Sequence, residues 1–253
     1  MSDAPADRDR NGPDDHTTPE SENSAQLPAG DLTVASWGNA SLTRWQPAID
    51  AVAQMLGLNP VTGPCFDAPT GSRNGEGDTM LGLAASLPGP VLVLPPRGAG
   101  NASAVQGSTQ ATPGSTLSRV LVPVDGTEPV IERVRHFLGH LGKSLEGVVL
   151  LHVLSESTRP RLWEGAGYNA EAWLEELSRR HGVGVGSIEV RTGEPADVIE
   201  ERSHDADLIA LAWQGDITSG KAALARALIE RVDVPVLLLP FAPIGESGTL
   251  PGS

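Results

Sequence analysis

The sequence predicts an α/β fold: a five-stranded parallel sheet with helices on both faces over residues 117–242, beside a smaller, truncated α/β segment over residues 31–96. Three observations carry the prediction. Short apolar runs alternate with stretches of helical spacing through the longer region, an order that implies right-handed crossovers and a parallel sheet covered on both sides. The stretches 1–30, 97–116 and 243–253 are too poor in large apolar residues to build a core. Finally, Pro90-Val91-Leu92-Val93-Leu94-Pro95 is nearly repeated as Pro235-Val236-Leu237-Leu238-Leu239-Pro240, which suggests a tandem repeat whose first copy has eroded.

In the longer region, the apolar run Arg119 to Val124 stops at Asp125-Gly126, a strand followed by a turn. Thr127 suits a helix cap, and Val130, Val134, Leu138 and Leu141 then recur at helical spacing, with Ile131 and Phe137 alongside. Gly147 to Leu154 is an unbroken apolar strand of the kind buried on both faces. A weaker helix over Ala170 to Arg180 precedes an alternating strand, Ser187 to Arg191. Pro195 opens the next helix, Ala196 to Ser203, at a position where its missing N–H costs nothing. Asp207 to Ala212 reads as a fourth strand, Lys221 to Arg231 as a helix, and Val234 to Leu239 as the closing strand.

The shorter region is a compressed version of this order. Leu32 to Trp37 reads as a strand, and Leu42 to Leu56 as a helix with Ile49, Val52, Ala53 and Leu56 inward. Asn59 to Gly77, thick with Gly and Pro, has no pattern; Met80 to Leu87 then reads as a short helix before the Pro90–Pro95 strand. Residues 1–30 hold seven acidic side chains against two Arg and read as a disordered acidic tail. The Gly/Ser/Thr/Ala-rich stretch 97–116 reads as a flexible linker, and 243–253 as a second disordered tail.

Across 253 residues, 18 Lys and Arg against 32 Asp and Glu leave a formal charge of −14. That balance argues against nucleic acid, whose phosphates demand cationic side chains, and against an anionic membrane surface. The single cysteine, Cys65, cannot form an internal disulfide and has no basic neighbourhood to activate it, so an inert thiol in a reducing compartment is expected. No signal-peptide pattern opens the chain, and no apolar run approaches the ~20 residues of a membrane helix. A cytoplasmic protein is the expectation.

Five stretches then carry a resemblance. Val120-Leu121-Val122-Pro123-Val124-Asp125-Gly126-Thr127-Glu128 resembles the opening of a universal stress protein domain, and Leu150-Leu151-His152-Val153 its second strand. Gly193-Glu194-Pro195-Ala196 is similar to the lead into its third helix. Ala206-Asp207-Leu208-Ile209-Ala210 resembles the fourth strand, and Val234-Pro235-Val236-Leu237-Leu238 the closing one. The resemblance covers one complete but degenerate domain at 117–242; in the shorter region it touches only the last strand. It implies a Rossmann-like five-stranded sheet with ligands at the C-terminal ends of the first and fourth strands, where open α/β sheets bind. Those edges here are Asp125-Gly126-Thr127 and Ala212-Trp213-Gln214-Gly215. It also implies pairing of closing strands. With two near-copies in one chain, an intramolecular pseudo-dimer is expected, the alternative being a homodimer through the closing strand.

ATP-binding members of the family carry Gly, two residues, Gly, nine residues, then Gly followed by Ser or Thr, so that backbone N–H groups and a helix N-terminus meet the phosphates. This chain has Ala212 at the first glycine, keeps Gly215 at the second, and offers Ala222-Ala223 at the last pair after only six residues. Asp216 stands where a triphosphate would pass; Gly220-Lys221 is a partial substitute, Lys221 being able to meet a phosphate. ATP is therefore disfavoured and no cofactor is expected.

Asp125, with Gly126 and Thr127, is the best-placed ligand contact, though capping the following helix explains it equally simply. The backbone of Val153 matches the region that meets the adenine, its side chain being core. Trp213, where the family has a small residue, either plugs the cleft or stacks on a flat ligand; plugging is the plainer reading. His152 reads as a satisfied core histidine, and Trp163 and Trp173 as packing. No nucleophile elbow or Walker loop is present. His136 and His140 share a helix face but lack a third metal ligand, and Gly98-Ala99-Gly100 lacks the helix a dinucleotide loop needs. The expected function is a non-catalytic stress-response or regulatory module binding an unknown protein partner or small ligand. The alternatives are an adenine-nucleotide binder with a remodelled loop and, behind it, a small hydrolase or transferase on the same scaffold.

Overall fold

A computed structural model of the chain describes residues 30–37, 39–66, 76–87, 89–95, 117–141, 147–155, 169–180, 186–215 and 220–240. The expected linker and the C-terminal tail, and all of the N-terminal tail but Gly30, lie outside these residues, as do Trp163 and Asp216. The elements run β1 (Asp31–Trp37), α1 (Asn39–Leu56), β2 (Asn59–Phe66), α2 (Glu76–Ser86), β3 (Val91–Val93), β4 (Arg119–Val124), α3 (Glu128–Leu141), β5 (Gly147–Leu154), α4 (Ala170–Arg180), β6 (Ser187–Thr192), α5 (Pro195–Ser203), β7 (Leu208–Trp213), α6 (Gly220–Arg231) and β8 (Val236–Pro240).

The class is α/β, with more strands in one sheet than the five expected. Eight strands form one sheet in the order β2-β1-β3-β8-β7-β4-β5-β6. The five from β8 to β6 are mutually parallel, as are the three of the shorter region. They meet at a single antiparallel junction, where Val91 faces Leu238, Leu92 faces Leu237 and Val93 faces Val236. The apolar β8 edge is thereby covered by β3 instead of being left as a row of open N–H and C=O groups.

The continuous apolar strands are buried on both faces, as their composition requires. One face carries α1, α3 and α4 over a core that includes Ile49, Phe137 and Leu174; the other carries α2, α5 and α6 over Met80, Ile199 and Leu228. Each such side chain contributes roughly 1.5–3 kcal/mol on leaving water.

The patternless stretch after α1 holds a strand. β2 is the sheet edge, paired in parallel with β1 and largely exposed. Pro60 and Pro64 are tolerated there because an edge strand needs N–H donors on one side only. Gly63 is required by proximity: a Cβ would lie 2.8 Å from the Thr33 methyl and 2.9 Å from the Val34 carbonyl oxygen. The residues that hide β2 from a propensity reading are thus those that let it pair.

Candidate functional site

The sheet reverses its winding between β4 and β7. From β4 the chain crosses through α3 to β5 on one side, and it returns from β6 through α5 to β7 on the other. Neighbouring C-terminal tips that diverge in this way leave the crevice where α/β sheets bind ligands.

At the β4 tip, one carboxylate oxygen of Asp125 accepts hydrogen bonds from the Thr127 N–H at 3.0 Å and the Thr127 hydroxyl at 2.6 Å. The Thr127 carbonyl in turn accepts the N–H of Ile131, opening α3. Asp125 therefore supports the helix start, as the capping alternative requires. Thr127 is exposed and Gly126 is buried. Gly126 turns the chain with φ of 75°, a left-handed conformation that favours glycine, and a Cβ there would sit 3.2 Å from the His152 ring.

His152, fully buried on β5, has its Nδ1 2.9 Å from the Val124 carbonyl. A carbonyl only accepts, so Nδ1 carries the hydrogen. The other ring nitrogen, Nε2, is buried without a partner among the described residues. Above the turn, the Trp173 indole N–H on α4 donates to the Gly126 carbonyl at 3.1 Å. Sequence reasoning treated His152 and Trp173 as packing; the fold brings both to the β4 turn. No local signal marks either one, because the contacts span 28 and 47 residues.

At the β7 tip, Trp213 is 1% exposed and packs in the core beneath α2 and α6. Its indole N–H has no acceptor among the described residues. Gly215 follows with φ of 76° and open space where a Cβ would stand. Gly220 is the first residue of α6, and the Lys221 side chain lies outside the description. The Val153 side chain is buried in the same core as Trp213, on the sheet face opposite His152. The residues singled out in the sequence thus gather around one sheet end, although the loop 216–219 between the β7 tip and α6 is not described.

A cleft of about 320 Å³ lies at the other end of the sheet, against the N-terminal ends of β4, β5 and β6. Arg202 on its rim is engaged, 2.8 Å from Glu189 and 3.0 Å from Asp205. Distance from the winding reversal makes this cleft the weaker candidate. Among the described residues no cluster of three or more His, Cys, Asp or Glu is arranged to hold a metal. None of their helices is long and apolar enough to cross a membrane.

The model of the universal stress protein family matches residues 116–240. Those residues belong to the universal stress protein family. Similar solved structures include a functionally unknown protein from Pseudomonas aeruginosa PAO1, at 12% identity over 83% of this chain and 82% of that one, with a TM-score of 0.43. A universal stress protein from Archaeoglobus fulgidus DSM 4304 shares 15% identity over 84% and 85%, also at 0.43. A universal stress protein in complex with cAMP aligns at 22% identity over 49% of this chain and 98% of its own, with a TM-score of 0.37. The comparison with curated proteins finds no match. In the universal stress protein domain, then, β4 is the opening strand and β8 the closing one.

Proposed function

We propose that the chain is a non-catalytic regulatory module of the universal stress protein type, cytoplasmic, whose own side chains fill the nucleotide cleft so that ATP binds weakly. The burial of Trp213 carries this reading: an indole occupies the tip of β7, where ATP-binding members have a small residue. The Trp173 bond across the β4 turn and the loss of the phosphate-loop glycines at Ala212 and Ala222 support it. The sequence carries no nucleophile elbow or Walker loop to favour catalysis.

The rival reading, adenine-nucleotide binding through a remodelled loop, draws on one observation. α6 begins at Gly220-Lys221, and a helix N-terminus favours an anion. Calorimetric titration with ATP and magnesium separates the two. Affinity weaker than about 0.1 mM, a binding free energy near −5.5 kcal/mol, is expected, and low-micromolar binding would sink the proposal.

The shorter region fits the same reading as an eroded second copy. The main contacts between the two regions, among the described residues, join equivalent elements: β3 with β8, α2 with α6, and α1 with α3. Such self-complementary contact is the mark of a two-fold interface and supports the reading of an intramolecular pseudo-dimer.

A further inference from the structure

Covering β8 with β3 moves the open edge of the sheet outward to β2, which pairs with β1 alone among the described residues. An open edge invites a strand from a second copy of the chain. Charge is the common safeguard, and the opposite edge has it: β6 holds Glu189 and Arg191. β2 has none. Asn59 to Phe66 carries no charged side chain, most of it is exposed, and Val61 is 43% exposed.

Hydrogen bonds fix which way each β2 residue faces. The Thr33 N–H donates to the Pro90 carbonyl at 3.2 Å, and the Leu94 N–H donates to the Ala35 carbonyl at 2.9 Å. Thr33 and Ala35 therefore turn their backbone groups toward β3. These groups alternate in direction along a strand, so those of Leu32, Val34 and Ser36 turn toward β2. Leu32 stands opposite Pro60, and Val34 opposite Thr62. Bonds in a parallel pair slant to the residues on either side of the one opposite, so Leu32 and Val34 reach Asn59, Val61 and Gly63. Pro60 and Thr62 are left facing away from the sheet. The register then slips by one residue, with Ser36 opposite Cys65. Ser36 reaches Pro64 and Phe66, and Cys65 faces outward.

The outward row is thereby broken twice. Pro60 has no N–H to give. The outward N–H groups of Thr62 and Cys65 stand three residues apart, where an incoming strand needs partners at every second residue. Pro64, between them, has no donor for either side.

We propose that Pro60, Pro64 and the register slip make β2 the terminator of the sheet, closing this edge to a strand from a second copy. The prolines take the place of the charges that β2 lacks.

The test compares the parent with Pro60→Thr/Pro64→Thr by sedimentation velocity, in reducing buffer over a concentration series. The double variant regains adjacent outward donors at positions 60 and 62. As concentration rises, its weight-average mass should at least double relative to the parent's, and hydrogen exchange at the Thr62 amide should slow in step. Adding Thr62→Pro to the double variant should return the mass to the parent's. A double variant whose mass tracks the parent's at every concentration overturns the proposal. So does association that persists after Thr62→Pro is added. The facing of β2 is read separately, in the parent, so that the proposal stays testable even where the double variant fails to fold. Val61→Pro removes the donor to Leu32 and should lower the urea midpoint clearly more than Thr62→Pro, whose N–H points away from the sheet. Equal losses in the two variants overturn the proposal as well.

Discussion

Trp173 and Gly126, 47 residues apart in sequence, are joined by a hydrogen bond of 3.1 Å from the indole N–H to the backbone carbonyl. It ties α4 to the turn at the end of the opening strand. Trp173→Phe keeps an aromatic ring but removes the donor and some of the indole's packing surface, so a loss of at least about 1 kcal/mol is expected in urea melts. A change within error would mean that the bond contributes nothing to holding α4 in place.

Gly126→Ala forces a side chain into a left-handed turn and sets a methyl 3.2 Å from the His152 ring. The expected cost is roughly 1–3 kcal/mol, seen as an earlier denaturation midpoint with an unchanged slope. Unaltered stability would show that the turn relaxes freely.

Trp213→Ala removes a fully buried indole from the core beneath α2 and α6. A destabilisation of roughly 3–5 kcal/mol is expected. Were Trp213 instead a stacking platform for a ligand, the free protein would lose little stability, and binding would disappear.

Removing residues 1–116 strips β3 from β8 and exposes Val236 to Leu239 as an apolar edge. Light scattering should find the full chain monomeric and the remainder dimeric. A folded, monomeric remainder would count against strand pairing as the force that joins the two regions.

His136 on α3 is held below the ordinary histidine range, first by burial and then by the charge of Arg135. The folded state therefore binds the proton less readily than the unfolded one. The stability His136 confers is complete above about pH 6.5 and declines as pH falls below it. In His136→Gln, stability measured from pH 7.5 down to 5 should fall less steeply than in the parent. Parallel curves would remove His136 from the account.

The alternating elements of residues 117–240 were legible because their strands are uninterrupted apolar runs and their helices keep a regular apolar stripe. The Asp125-Gly126-Thr127 edge was legible for a different reason: short polar residues and glycine ending such a run mark a strand tip. β2 was not legible. Its prolines and glycine answer to an edge position and a close backbone approach, which exist only once β1 lies beside it. α1 begins at Asn39, ahead of the expected Leu42, because its first turn adds little to the apolar stripe. Trp173 stayed hidden since nothing within α4 says which turn its indole reaches. That a sheet of eight would replace five strands and a separate segment rests on the β3–β8 pairing, which similarity of sequence suggests but does not orient.

The antiparallel junction also decides how the protein would respond to tension. β1 begins and β8 ends at the same end of the sheet, two strand spacings apart, so a pull on the chain's termini acts across the strands. Hydrogen bonds between β1, β3 and β8 are then loaded one after another, as in a zipper, rather than sheared together. The β3–β8 junction would then open bond by bond, at lower force than a sheared strand pair of the same length.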